Sequence, residues 1–97
     1  VATGINDIGI WKHLVMTYNS TDRVIKIFVD GNENISINRA TLNLDSTATR
    51  IGRMQDSSSY DLNGQIDEVG IWTRTLTPDE VSTLYNNGNG LTYPFTN

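Results

Sequence analysis

Two apolar runs of strand length, with a short polar break between them and Asp30-Gly31 after them, constrain this chain more than any other feature. In pleated geometry Trp11-Lys-His-Leu-Val-Met-Thr-Tyr18 sends Trp11, His13, Val15 and Thr17 to one side and Lys12, Leu14, Met16 and Tyr18 to the other. Both sides carry apolar groups, as expected of an inner strand covered on two faces. Asn19-Ser-Thr-Asp22 has the composition of a turn. Arg23-Val-Ile-Lys-Ile-Phe-Val29 follows, with Ile25, Ile27 and Val29 opposed to Val24, Lys26 and Phe28. The two runs predict an antiparallel hairpin. Asp30-Gly31 ends the second with a dipeptide suited to the positive φ of a tight reversal.

The remaining elements are shorter. Ile35-Ser-Ile37 and Thr49-Arg-Ile-Gly52 read as brief strands, and Gln55-Asp-Ser-Ser-Ser59 as a loop. Gln65-Ile-Asp-Glu-Val-Gly-Ile-Trp72 alternates well enough to predict another strand. One helix is expected, from Pro78 to about Tyr85. Thr77 stands at its N-cap, Pro78 at the first helical position and Glu80 where a capping box needs it. Leu76 and Val81 occupy the positions of a hydrophobic staple, and Val81, Leu84 and Tyr85 share a face. Asn87-Gly88 supplies the stop. Leu91 to Asn97 fits either a last edge strand or a tail. The fold class is therefore all-β, an antiparallel β-sandwich with one short C-terminal helix.

Composition removes several functions. With 97 residues there is room for one domain and a small core. No cysteine is present, which excludes disulfides, thiolate zinc sites and cysteine nucleophiles. Net charge is -4, and the seven basic residues are scattered, so the clustered cations that nucleic acid requires are missing. No apolar run approaches the roughly 20 residues that span a bilayer, so membrane insertion is not expected. The chain opens on Val1 without a basic-apolar leader, as a processed or excised chain would.

Taken in order, Trp11 to Tyr18, Val24-Ile-Lys-Ile-Phe-Val-Asp-Gly31, Arg50-Ile-Gly52, Gly64-Gln-Ile-Asp-Glu-Val-Gly-Ile-Trp72, Leu76-Thr-Pro-Asp-Glu-Val81 and Leu84-Tyr85 resemble the laminin G-like jelly roll of the concanavalin A-like lectin and glucanase superfamily, and also the related pentraxins. The resemblance covers about residues 10 to 86. It implies that residues 1–97 form a single β-sandwich domain corresponding to the C-terminal half of such a fold, whose members run to roughly 150–200 residues. A half-sandwich leaves sheet edges and an apolar face open, so a homo-oligomer or strand exchange is expected to complete it. The resemblance further implies a module of a larger protein, extracellular or at the cell surface. Its partner would be a glycan or cell-surface glycoconjugate or, alternatively, a protein in an adhesive or structural contact.

The candidate residues are few. Retaining glycosidases hold two carboxyl groups about 5–5.5 Å apart on one side of the sugar. Asp67 and Glu68 are consecutive, and on a strand they project to opposite faces. Neither has a second acid two residues away. Catalysis is not expected. The resemblance implies that Asp67 contributes to a structural calcium (Ca2+) site, although one carboxylate supplies only part of the roughly 6–8 oxygens that calcium takes. A cross-strand pair of Asp67 or Glu68 with Arg50, Arg53 or Arg74 accounts for the same acids. Asp30-Gly-Asn-Glu-Asn34 has its glycine misplaced for a calcium loop and is read as a turn. His13, the single histidine, has no nucleophile elbow to serve and is read as a half-buried packing residue. Trp11 and Trp72 lie in apolar runs and are expected in the core rather than as sugar platforms. The expected sugar contacts are Gln55, Asp56 and Tyr60, which gather amide, carboxylate and aromatic groups in one loop. Asn19-Ser-Thr21 and Asn34-Ile-Ser36 fit the glycosylation sequon at the frequency chance provides.

Overall fold

The computed structural model describes residues 9–38, 50–52 and 61–91. Three antiparallel strands, β1 (Leu14–Asn19), β2 (Val24–Val29) and β3 (Asn32–Asn38), form one sheet in the order β1-β2-β3, and one helix, α1 (Pro78–Tyr85), packs on it. The predicted hairpin is present, with Leu14 opposite Val29 and Asn19 opposite Val24. Its loop is set by Asn19, whose Oδ1 accepts from the backbone N–H of Thr21 at 2.9 Å and of Asp22 at 3.4 Å. The second reversal places Asp30 at φ 50° and Gly31 at φ 82°, both positive as a two-residue hairpin turn requires. In β3, Ile35 faces Ile27 while Glu33 faces Phe28, so the ladder skips Asn34 as a bulge.

β1 starts at Leu14, later than expected, and it lies at the edge of the sheet rather than inside it. β2 takes the central place. Among the described residues no layer covers the face that carries Leu14 and Met16, which are exposed at 59% and 69%. The alternate side of the sheet carries the core. Phe28, Leu76 and Val81 are buried together, with Val15 and Leu84 packed around them. Leu76 and Val81 thus meet as a staple should, fixing the entry of α1 over Phe28.

The helix ends follow from its sequence. The Thr77 hydroxyl accepts from the Glu80 N–H at 3.2 Å, and the Glu80 carboxylate accepts from the Thr77 N–H at 2.9 Å. At the other end the left-handed turn begins one residue before the expected Asn87-Gly88 signal. Asn86 has φ 50°, and its N–H caps the Ser82 carbonyl. A short 3-10 turn over Asn86–Gly88 then leads the chain away.

Two expected strands are not strands. Ile51 and Gly52 form a bend after an irregular Arg50, with Thr49 outside the described residues. Gln65 to Trp72 is irregular and exposed throughout. Its alternation suits pairing, but a strand needs a hydrogen-bonded neighbour, and none stands beside it among the described residues. Glu68 at φ 55° breaks the extended path. Both tryptophans depart from the core reading for the same reason: Trp11 precedes β1 and is 63% exposed, and Trp72 ends the irregular segment at 36%.

Core and edge predict opposite responses to truncation. Phe28→Ala should cost about 3–5 kcal/mol, because it removes the centre of a small core. Met16→Ala on the exposed side should stay within about 0.5 kcal/mol. Urea unfolding of both variants checks this; equal losses would mean that Met16 is covered.

Candidate functional site

Among the described residues, three groups hold the polar residues singled out from the sequence. The first surrounds Asp30. Its Oδ1 accepts from the His13 backbone N–H at 3.0 Å, and its Oδ2 receives Lys12 Nζ at 3.1 Å. Its own N–H donates to the His13 carbonyl at 2.9 Å. The His13 N–H, followed by burial in opposition and then by Lys12, leaves the Asp30 carboxyl below its ordinary value. This aspartate closes the open end of the hairpin, a role its position next to Gly31 in the sequence did not disclose. The His13 ring is half-buried, as expected, and stands 5.9 Å from the Tyr85 ring. Burial lowers its pKa, with Asp30 acting the other way.

The second group lies at the N-terminus of α1. Arg74 Nη1 donates to Glu80 Oε1 at 2.7 Å, and Nη2 to Oε2. Glu80 therefore belongs to both a forked ion pair and the capping box. Arg74, followed by the Thr77 N–H, draws its pKa down to about 2. The expected pairing of Arg74 with Asp67 or Glu68 is not seen, because the helix cap claims the guanidinium. Trp72, Arg74, Asp79, Glu80, Leu84 and Leu91 line a groove here.

The third group is Asp67 and Glu68. The exclusion of catalysis by strand alternation does not hold in this form, since the segment is not a strand. Asp67 Oδ1 instead accepts the Glu68 backbone N–H at 2.8 Å. Among the described residues no three His, Cys, Asp or Glu side chains cluster as metal ligands. Gln55, Asp56, Tyr60 and Arg53 lie outside the described residues.

Among the described residues no strand pairs with the outer side of β1. The His13–Asp30 bond fixes the ladder phase, so Val15 and Thr17 point their backbone groups at β2 while Leu14, Met16 and Tyr18 point theirs outward. The Tyr18 carbonyl accepts from Thr75 Oγ1 at 2.6 Å. Beside Leu14 and Met16, Ile10 and Trp11 are also exposed, at 61% and 63%.

These strands and helix are found in known proteins. Residues 2–82 match the laminin G model of the concanavalin A-like lectin/glucanases superfamily. The chain belongs to that superfamily. The laminin G-like chain is 32% identical to human adhesion G-protein coupled receptor D1 over 79 residues, which is 77% of this chain and 9% of the receptor. It is 29% identical to C-reactive protein of Sus scrofa over 84 residues, covering 78% of this chain and 38% of that one. A crystal structure of an S-layer domain-containing protein from Clostridium thermocellum superposes with a TM-score of 0.69 at 29% identity, over 84% of this chain and 42% of the other. The chain thus spans less than half the length of each. No helix among the described residues is long and apolar enough to cross a membrane.

Acid should unpick the α1 cap. Glu80 holds its proton more weakly in the folded chain than in the unfolded one. Its contribution is therefore complete above pH 4.5 and lost as pH falls towards about 2. Helical circular dichroism should fall across that window in the native chain. Glu80→Gln should flatten that part of the profile; an unchanged profile would assign the acid response to other carboxyls.

Proposed function

We propose that this laminin G-like chain is a non-catalytic extracellular recognition module that takes a protein partner along the open edge of β1. The observation that carries this reading is the pairing of outward backbone groups at Leu14 and Met16 with large exposed apolar side chains at Ile10, Trp11, Leu14 and Met16. An edge of that kind is a template for an added strand, with backbone hydrogen bonds supplying affinity and alternate side chains supplying selection. β1 carries no charge or proline to repel one. A second copy of the chain is one source of the strand, giving the homo-oligomer or strand exchange expected from the sequence. Support for an adhesive setting comes from relatives named as an adhesion receptor and an S-layer domain-containing protein. The absence of catalysis is supported by Asp67, whose Oδ1 accepts the Glu68 N–H, and by His13, packed against Tyr85.

Glycan binding is the second reading. The half-exposed indole of Trp72 favours it, standing in a groove with the polar groups of Arg74, Asp79 and Glu80. Gln55, Asp56 and Tyr60 would add contacts, and Asp67 would help to hold a structural calcium.

Arrays of immobilised extracellular-matrix proteins and of glycans, each with and without calcium, separate the two. Saturable protein binding that drops tenfold or more in Leu14→Lys and Met16→Lys is the expected result. Binding confined to glycans would replace the first reading with the second, and turnover of a polysaccharide would overturn both. Sedimentation of the native chain and the same variants shows whether a second copy is the partner.

A further inference from the structure

We propose that His13 is a proton-sensitive latch between the sheet and α1, and that protonating its ring frees the C-terminal turn of the helix from the Asp30-Gly31 turn. The contact is compact. Gly31 sits directly beneath Tyr85, so that a Cβ at position 31 would lie 3.1 Å from Tyr85 Cδ2. The His13 ring abuts the same tyrosine at 5.9 Å between centroids. His13 and Tyr85 therefore clasp the turn from the strand side and from the helix side.

Within this clasp His13 Nδ1 is buried and has no hydrogen-bond partner. A neutral imidazole tolerates that position, because one ring nitrogen carries no proton. An imidazolium does not: a second N–H would be buried without an acceptor. The surrounding charges do not repair this. Asp30 is the carboxylate that faces the ring from the turn; its oxygens accept from Lys12 Nζ and from the His13 main-chain N–H, and neither bonds the ring Nδ1 in the docked geometry. Lys12, on the lead into β1, is a like charge to the imidazolium. From α1 the facing group is the neutral phenol of Tyr85. In the sheet, Lys26 and Glu33 neutralise one another at 3.1 Å.

The sign follows directly. Burial makes the docked His13 a weaker base than a free one, and Asp30 only moderates the effect. The docked state is fully favoured above 6.5, the ordinary value, and loses ground as pH falls through that value to the lower one in the fold. Relief comes by opening at the nearest weak point. That point is the last turn of α1, which ends at Tyr85 in a left-handed cap on Asn86.

Nuclear magnetic resonance on the full 97-residue chain tests this. The His13 ring should titrate below 6.5. Over the same interval the Gly31 amide should lose the ring-current shift imposed by Tyr85, and protection of the Tyr85 and Asn86 amides, taken relative to the intrinsic exchange rate at each pH, should fall at least fivefold. Protection at Ile27, in the sheet centre, should stay within twofold. His13→Phe keeps an aromatic ring against Tyr85 and should abolish the pH dependence of both signals. Three results would each overturn the latch: titration at or above 6.5, a Gly31 shift that survives protonation of His13, or the same pH dependence in the phenylalanine variant.

Discussion

Burial of Phe28 beneath Leu76 and Val81 is the contact on which the arrangement depends. A hairpin alone is marginal in water, and a helix of two turns is not stable in isolation. Each becomes persistent by covering the other. Phe28 lies in the central strand, where β1 and β3 hold it from both sides, and α1 arrives with its staple already aimed at that ring. The capping box and the Arg74–Glu80 pair serve this meeting by fixing the first turn of the helix and its approach angle.

Asp30 plays the corresponding part for the sheet. One carboxylate ties the start of β1 to the β2–β3 turn through the His13 N–H and Lys12, while Gly31 gives Tyr85 room to seat. Among the described residues the sheet and helix are therefore joined at the apolar core and at the turn. The first is built of apolar side chains, and the second contains the only histidine of the chain.

Local chemistry was legible in the sequence where it is self-contained. The Asp30-Gly31 reversal, the hairpin and the Thr77–Glu80 cap each depend on neighbours a few residues away, and each was readable from spacing. The superfamily was legible too, from the order of the motifs. What failed depends on distant partners. Alternation in Gln65 to Trp72 records a preference for pairing but does not supply a partner, and the segment stays irregular. The apolar character of both faces of β1 suggested an inner strand covered on two sides, whereas among the described residues only the Val15 face is covered, and Leu14 and Met16 stand in water. The pairing of Arg74 with Glu80 was hidden because it reaches from the irregular segment into the helix, and the bond from Thr75 to Tyr18 spans 57 positions.

The most direct measurement is cross-relaxation between the Phe28 ring protons and the Val81 methyl groups in solution. A helix docked on the middle strand gives strong transfer between them, together with the slowest amide exchange of the chain in β2. A Phe28 ring without transfer to Val81 or Leu76, beside a β2 that exchanges as fast as the loops, would contradict the packing from which every other feature follows.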